Sequence, residues 1–250
     1  MAHGRYLLVS DLHLDASHPA GIGQFLHLLR TEAPRSDGLY VLGDLFESWI
    51  GDDDDEPARE QVCAGLRELT RQGVPCRIQR GNRDFLLGAG FTARTGCQLL
   101  ADPVLIEAGG RRFVLSHGDA LCTRDVSYQR FRRVARSHWL QRTWLALPLG
   151  ARRRLAAWGR RRSHAHVRRA PREIMDVTPA AVTQLLRSWR ADVLIHGHTH
   201  RPAEHRLEVD GRPALRLVLA DWHEGGSMLV LHADGSYQDC RLEMPKETDG

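Results

Sequence analysis

Five segments of this 250-residue chain end an apolar run in side chains able to bind metal: Asp11-Leu12-His13, Gly43-Asp44, Gly81-Asn82, His117-Gly118-Asp119 and His196-Gly197-His198-Thr199-His200. Imidazole, carboxylate and carboxamide donors suit Mn²⁺, Fe, Zn²⁺ or Mg²⁺, and the lack of cysteine among them argues against a structural zinc site. The candidates are Asp11, His13, Asp44, Asn82, His117, His198 and His200. They are too many for one tetrahedral ion but suit two octahedral ions sharing a carboxylate, with positions left for water and substrate. Two metals about 3.5–4 Å apart are a recurring device for phosphoester hydrolysis. Each piece alone has a plainer reading. Asp-x-His occurs by chance, Gly-Asn and Gly-Asp are common turns, and Ser-His-Gly describes an ordinary loop histidine. Three histidines at alternate positions after an apolar strand are harder to dismiss, and the ordered set of five segments outweighs the separate structural readings.

These residues need strands that end along one edge. Arg5–Ser10, Leu39–Leu42, Cys76–Gln79, Arg112–Ser116 and Val193–Ile195 are short apolar runs that read as strands. At an extended strand end, positions i and i+2 face one way, which puts Asp11 with His13 and His198 with His200. Gly43 lets the chain turn sharply, so Asp44 is presented at the C-terminal edge, where open α/β sheets bind ligands. Asp44 is the expected bridging carboxylate. Amphipathic patterns predict helices over 21–33, 57–71 and 85–95, over 126–149 with a turn at Pro148-Leu149-Gly150, over 152–161, and over 179–190 behind a Thr178 cap. Strands are predicted at 104–107, 205–209, 215–219, 228–232 and 237–242, with Asp210-Gly211 and Asp234-Gly235 as hairpin turns. The expected fold is a layered α/β sandwich in a single domain, 1–250, with a helical insertion at 124–172.

The charge is unevenly spread. Residues 124–172 hold 15 arginines and a single acid, Asp125, which leaves 20 of the 35 basic and 30 of the 31 acidic residues elsewhere. An acidic body therefore carries one strongly basic segment, which needs an anionic partner. The segment also contains Phe131, Val134, Trp139, Trp144, Leu145 and Leu147. Tryptophan beside arginine suits a membrane interface and an apolar acyl-chain tunnel. The alternatives are a solvated basic helix pair whose apolar face is ordinary core, and a nucleic-acid surface. The five cysteines are odd in number and lack a C-x-x-C pair, and the N-terminus lacks a secretory pattern, which predicts a cytosolic protein with reduced thiols. No stretch is long and apolar enough to span a bilayer.

The order Asp-x-His, Gly-Asp-x-x-Glu, Gly-Asn-Arg-Asp, His-Gly-Asp, Gly-His-Thr-His resembles the calcineurin-like metallophosphoesterases over Asp11 to His200. That resemblance implies an α-β-β-α sandwich. It implies one metal on Asp11, His13, Asp44 and His200, and a second on Asp44, Asn82, His117 and His198. Many members use a histidine after the Gly-Asn as general acid, and here that place is Arg83. With Leu121-Cys122-Thr123, Ile174-Met175-Asp176-Val177 and the run from Ile195 to Pro202, the chain is similar to one branch, the UDP-2,3-diacylglucosamine hydrolases of lipid A biosynthesis.

That likeness implies hydrolysis of the substrate's pyrophosphate by metal-activated water attacking the α-phosphorus, with UMP and 2,3-diacylglucosamine 1-phosphate as products. Asp44, Asn82, Arg83 and His117 would carry the catalysis. It further implies two Mn²⁺ per chain, other divalent ions being possible, and a monomer at the cytoplasmic face of the bacterial inner membrane, with 124–172 as a lid on the anionic surface and no nucleic acid. Matched substrate contacts are Asn82, Arg83, Asp125, Ser163 and His198. The branch often has a polar residue and a lysine where this chain has Val167 and Ala170, so Arg168, Arg169 or Arg172 would substitute for the lysine. Glu47 is expected to orient a histidine and Trp49 to lie near the substrate's mouth. The remaining alternatives are another dinuclear phosphodiesterase or nuclease, and a non-catalytic scaffold; the scaffold is disfavoured because all seven donors are present.

Overall fold

The computed structural model describes residues 4–169, 176–223 and 225–242, and the side chains of all of these except 160–169. Two sheets lie face to face. The first contains β1 (Arg5–Val9), β2 (Gly38–Leu42), β3 (Cys76–Gln79) and β4 (Gln98–Leu100) in parallel, with β10 (Ser227–His232) antiparallel to β1 and β11 (Tyr237–Arg241) antiparallel to β10. The second has the order β5 (Val104–Ala108), β6 (Arg111–Ser116), β7 (Val193–His196), β9 (Arg212–Val218), β8 (Ala203–Val209). In it β6, β7 and β9 run parallel, and β5 and β8 close the edges antiparallel.

Strand alternation builds the layers. Leu8, Tyr40, Leu42, Phe113, Leu115, Val193 and Ile195 point between the sheets. Their neighbours Leu7, Val9, Leu39, Val41 and Ile78 point outward, where they meet α1 (Pro19–Thr31), α2 (Pro57–Arg71) and α3 (Ala89–Thr95). Val114 and Leu194 point out of the second sheet onto Val182 and Leu186 of α7 (Pro179–Trp189). This period-2 division of buried residues is what an α-β-β-α sandwich requires. Proline occupies the first turn of α1, α2 and α7, where a missing N–H costs nothing.

Between β6 and α7 come three helices, α4 (Val126–Ala135), α5 (His138–Leu145) and α6 (Leu149–Arg169). Sequence periodicity predicted a single helix as far as Leu149; the chain instead breaks at Arg136-Ser137, so α5 starts afresh. The turn near Pro148 is present, and α6 begins at once, three residues before its predicted start. Short β4 was not predicted, and the helix expected from Phe85 begins only at Ala89. Thr178 sits at the α7 N-cap position, but its hydroxyl pairs with Thr123 Oγ1 at 2.8 Å instead of capping the helix.

Phe113 is fully buried between the sheets. Phe113→Ala should lower unfolding free energy by about 3–5 kcal/mol, read from urea denaturation, because a cavity that size cannot fully collapse. A loss below about 1 kcal/mol would mean the sheets do not depend on this layer.

Candidate metal centre

All seven donor residues lie at one edge, at the C-terminal ends of β1, β2, β3, β6 and β7. Two overlapping groups have their ligand atoms within 4.8 Å of one another: Asp11, His13 and His200, and Asp11, Asp44 and His117. Asp44 stands between the two sides. Its Oδ2 is 3.9 Å from His13 Nε2 and 3.8 Å from His117 Nε2, while its Oδ1 accepts the Arg83 N–H at 2.8 Å. Asn82 Oδ1 is 2.9 Å from both His117 Nε2 and His198 Nδ1. Asp11 Oδ2 accepts the His198 N–H at 2.7 Å and the Ser10 hydroxyl. Asp11 Oδ1 is buried with no hydrogen-bond donor, 3.5 Å from His200 Nε2. A buried carboxylate oxygen without a partner, ringed by imidazole nitrogens, fits a divalent cation held by oxygen and nitrogen donors.

The backbone bends sharply to present these groups. Asp11, His13, Asp44, His198 and His200 have φ of 54°, 48°, 51°, 68° and 54°. Each non-glycine residue in this left-handed region costs of the order of 1–3 kcal/mol, and such strain gathers at functional sites. Glycines make the close approaches possible. Gly43 has φ of +86°, and a Cβ there would lie 2.6 Å from His117 Nδ1. A Cβ on Gly81 would collide with the Asp44 carboxylate. Buried Asp84 ties the β2 and β3 turns together, accepting Leu45 N–H at 2.8 Å and Gly81 N–H at 2.7 Å.

The electrostatics favour positive charge in the cluster. Burial opposes protonation of His117, but Asp44, Asp11 and Asp119 outweigh it and raise its pKa to about 9. Burial opposes His200 likewise, yet the nearby carboxylates of Asp11 and Asp221 raise it to about 10. Burial alone would raise the Asp11 pKa, but His200, His117 and His13 hold that carboxyl well below its ordinary range. His198 is held at about 4 by burial and by His117, so it keeps a lone pair to donate.

Outer partners orient the imidazoles. His13 Nδ1 is 2.9 Å from Glu47, as the sequence predicted, and His200 Nδ1 is 3.1 Å from Asp221. Pairing at one ring nitrogen turns the other toward the centre. Asp221 was missed. It begins Asp221-Trp222-His223 just past β9, the same Asp-x-His pattern that flagged Asp11 and His13, and His223 stacks on His13 with the rings 3° from parallel. Trp49 must be moved. It is buried against Phe46 and Phe91 beneath the site, with its Nε1 on Asp52, because an indole in that loop finds more apolar surface inward than at the rim.

Helix α4 reaches the site through buried Asp119. That carboxylate accepts Tyr128 OH at 2.6 Å, Arg132 Nε at 2.8 Å and Arg136 at 3.2 Å, and Arg136 also donates to Gly81 O at 3.0 Å. The Tyr128 ring stacks on His198 with centroids 6.1 Å apart. Of the expected substrate contacts, Arg83 lies beside the donors with its guanidinium 3.7 Å from Glu47, and Asp125 caps α4 through the Tyr128 N–H. Ser163 and Val167 lie on α6, but their side chains, with those of Arg168 and Arg169, fall outside the described residues, as do Ala170, Arg172, Ile174 and Met175.

Comparison with known proteins identifies the family. The family model described as calcineurin-like phosphoesterase matches residues 4–202. The UDP-2,3-diacylglucosamine hydrolase of Aeromonas hydrophila is 50% identical over 224 residues, 90% of this chain and 93% of that protein. The Coxiella burnetii protein of the same name is 45% identical, covering 93% and 95%, and that of Escherichia coli is 46% identical, covering 91% and 95%. On that likeness, spread along nearly the whole length, this chain belongs to the calcineurin-like phosphoesterases and, among them, to the family of the UDP-2,3-diacylglucosamine hydrolases.

Proposed function

We propose that this chain hydrolyses the pyrophosphate bond of UDP-2,3-diacylglucosamine, giving UMP and 2,3-diacylglucosamine 1-phosphate. The observation that carries the reading is the 50% identity, over 90% of the chain, to a hydrolase of that name, in a chain with all seven candidate ligands at one sheet edge. Asp11, His13, Asp44 and His200 would hold one divalent ion, and Asp44, Asn82, His117 and His198 the other, with Mn²⁺ as the expected metal. Such ions, when bound, lower the pKa of a water toward neutrality and offset charge on phosphoryl oxygens.

The chain's own groups do the rest. The Arg83 amide fixes Asp44 through Oδ1, while Oδ2 faces His13 and His117. Glu47 and Asp221 hold His13 and His200 with Nε2 inward. The Arg83 guanidinium can grip phosphate through two parallel hydrogen bonds. Attack at the α-phosphorus would break its bond to the bridging oxygen, so UMP gains the water oxygen and 2,3-diacylglucosamine 1-phosphate departs as a phosphate, a good leaving group; arginine therefore serves where relatives of the wider family place a general acid. Asp125 and Ser163 remain proposed contacts to the lipid half.

Residues 124–172 would act as a lid on the single catalytic domain and as its membrane contact. Among the described residues the exposed large apolar side chains all belong to this stretch: Val126, Phe131, Val134, Trp139, Leu145, Leu147, Leu155 and Trp158. Trp139 is 75% exposed. Arg124, Arg130, Arg133, Arg142 and Arg154 are exposed among them. Each such charge contributes about 1 kcal/mol near an anionic bilayer. Not every arginine is free for this. Arg152 is 2% exposed and binds Asp53 and Ile50 O, Arg153 binds Asp54 and Asp55, and Trp144 donates to Ile50 O. No helix among the described residues is long and apolar enough to cross a membrane, so attachment would be peripheral, at the cytoplasmic face of the inner membrane, by a monomer without nucleic acid.

Incubation with UDP-2,3-diacylglucosamine, Mn²⁺ and detergent should release UMP, and His13→Ala or Asp44→Ala should cut the rate by at least about a thousandfold, the scale of losing an essential electrostatic group. Cleavage of an oligonucleotide without UMP release would overturn the substrate. Asp221→Asn should weaken metal binding about 10–100-fold in equilibrium dialysis; unchanged affinity would remove His200 from the ligand set. Trp139→Ala should reduce co-sedimentation with anionic vesicles, as should salt near ~0.5 M, which screens surface charge. Equal binding to neutral vesicles would sink the electrostatic part.

A further inference from the structure

A cavity of about 430 Å³ opens beside the donor cluster, within the range of small-molecule sites. Its wall runs from Leu12 to Gly21, crosses to Gln24 of α1, and returns through Trp222 and His223. His13, His200 and Arg83 border it, so anything seated there adjoins a phosphoryl group held at the centre. Among the described side chains of 124–159, none lines it. The basic helices meet the centre from its other side, through Tyr128 on His198 and Arg136 on the Gly81 carbonyl.

A substrate made of a polar nucleotide and a diacyl sugar joined by pyrophosphate has two unlike ends. The exposed apolar surface lies on the α4–α6 side. The cavity instead combines a few apolar walls, Leu12, Leu14 and Trp222, with hydrogen-bonding groups on Asp15, Ser17, His18 and Gln24. That mixture suits a flat polar ring better than two acyl chains. Gln24 is half-buried, and its side chain makes no hydrogen bond to any described residue. Its carboxamide offers a donor and an acceptor side by side, the complement of the uracil N3–H and C4=O edge. His223 is exposed, backed on one face by His13, and stands at the rim.

We propose that this cavity takes the nucleoside end of the substrate, with the uracil edge on Gln24 and the base beside His223. This rests on the reading of the substrate given above. It divides the molecule: the nucleotide leaves past α1, and the lipid product stays with the basic helices.

Titration calorimetry of the Mn²⁺-loaded protein with UMP and with ribose 5-phosphate tests the assignment, since only UMP carries the base. Wild type should bind UMP about tenfold more tightly, the worth of one or two hydrogen bonds. In Gln24→Ala the two constants should converge, through a loss of about tenfold for UMP and less than about twofold for ribose 5-phosphate. Ala20→Trp, at an exposed position in the first turn of α1, should produce the same convergence by filling the space. The Gln24 side chain makes no hydrogen bond to the described residues, so its truncation keeps the test alive if the tryptophan variant does not fold. Equal binding by wild type, or a UMP preference retained by Gln24→Ala, overturns the cavity assignment. Release of UMP from UDP-2,3-diacylglucosamine by wild type is measured in parallel. Its absence overturns the substrate reading, whereas its presence with an undiminished preference in Gln24→Ala overturns the cavity assignment alone.

Discussion

Two carboxylates, Asp11 and Asp44, are buried side by side at the ends of neighbouring parallel strands, each 1% exposed. Burying like charges together is costly unless something positive or a hydrogen-bond donor answers them. Backbone amides of Arg83 and His198 answer one oxygen of each, and imidazoles surround the other. The turns around them follow from this demand. Residues with positive φ, glycines without room for a Cβ, and the Asp84 tie between two turns all hold the carboxylates where bulk water cannot compensate them. The fold can carry the strain because the strands beneath are buried on both faces.

The same concern with charge explains how the helical segment is attached. The acidic body and basic helices are complementary parts of one molecule. Asp53, Asp54 and Asp55 receive Arg152 and Arg153, and Asp119 receives Arg132 and Arg136. Asp119 is the more consequential contact because it sits two residues after His117. Burial would raise its pKa, but His117, Arg136 and Arg132 hold the carboxyl well below its ordinary range. Through Arg136 and Tyr128, α4 touches the loop bearing Asn82 and the ring of His198. Movement of this helix would therefore be felt at two of the candidate ligands.

An asymmetric site follows. On one side are basic helices with exposed tryptophan, phenylalanine and leucine; on the other is a smaller cavity with amide, hydroxyl and imidazole groups. The donors lie between, where a pyrophosphate would join unlike halves. Neither side is marked by the ligand residues themselves, which would serve many phosphoesters equally well. Substrate choice in this architecture is set by what flanks the centre.

Much of this was legible in the sequence. The strands, the four-layer fold and the gathering of the seven candidate ligands at one sheet edge follow from local patterns: apolar runs ending in Asp, Asn or His, alternation of buried positions, and proline or glycine at element ends. Those signals are short-range, and a linear chain records them directly. The break at Arg136-Ser137 and the extra strand β4 were not legible, because propensity varies little there and packing decides. Trp49 was misplaced because an aromatic residue near a site reads the same whether it faces substrate or core. Asp221 carried the right pattern but stood in the loop by which the chain crosses from β9 in one sheet to β10 in the other. Which arginines are spent on Asp53, Asp54 and Asp119, and which face outward, depends on contacts between residues up to about a hundred positions apart. Residue type and spacing thus determined the chemistry at the strand ends. Only tertiary structure decided what flanks that chemistry, basic helices on one side and a small polar cavity on the other, since a flank is a property of surfaces brought together, and no local stretch of chain contains it.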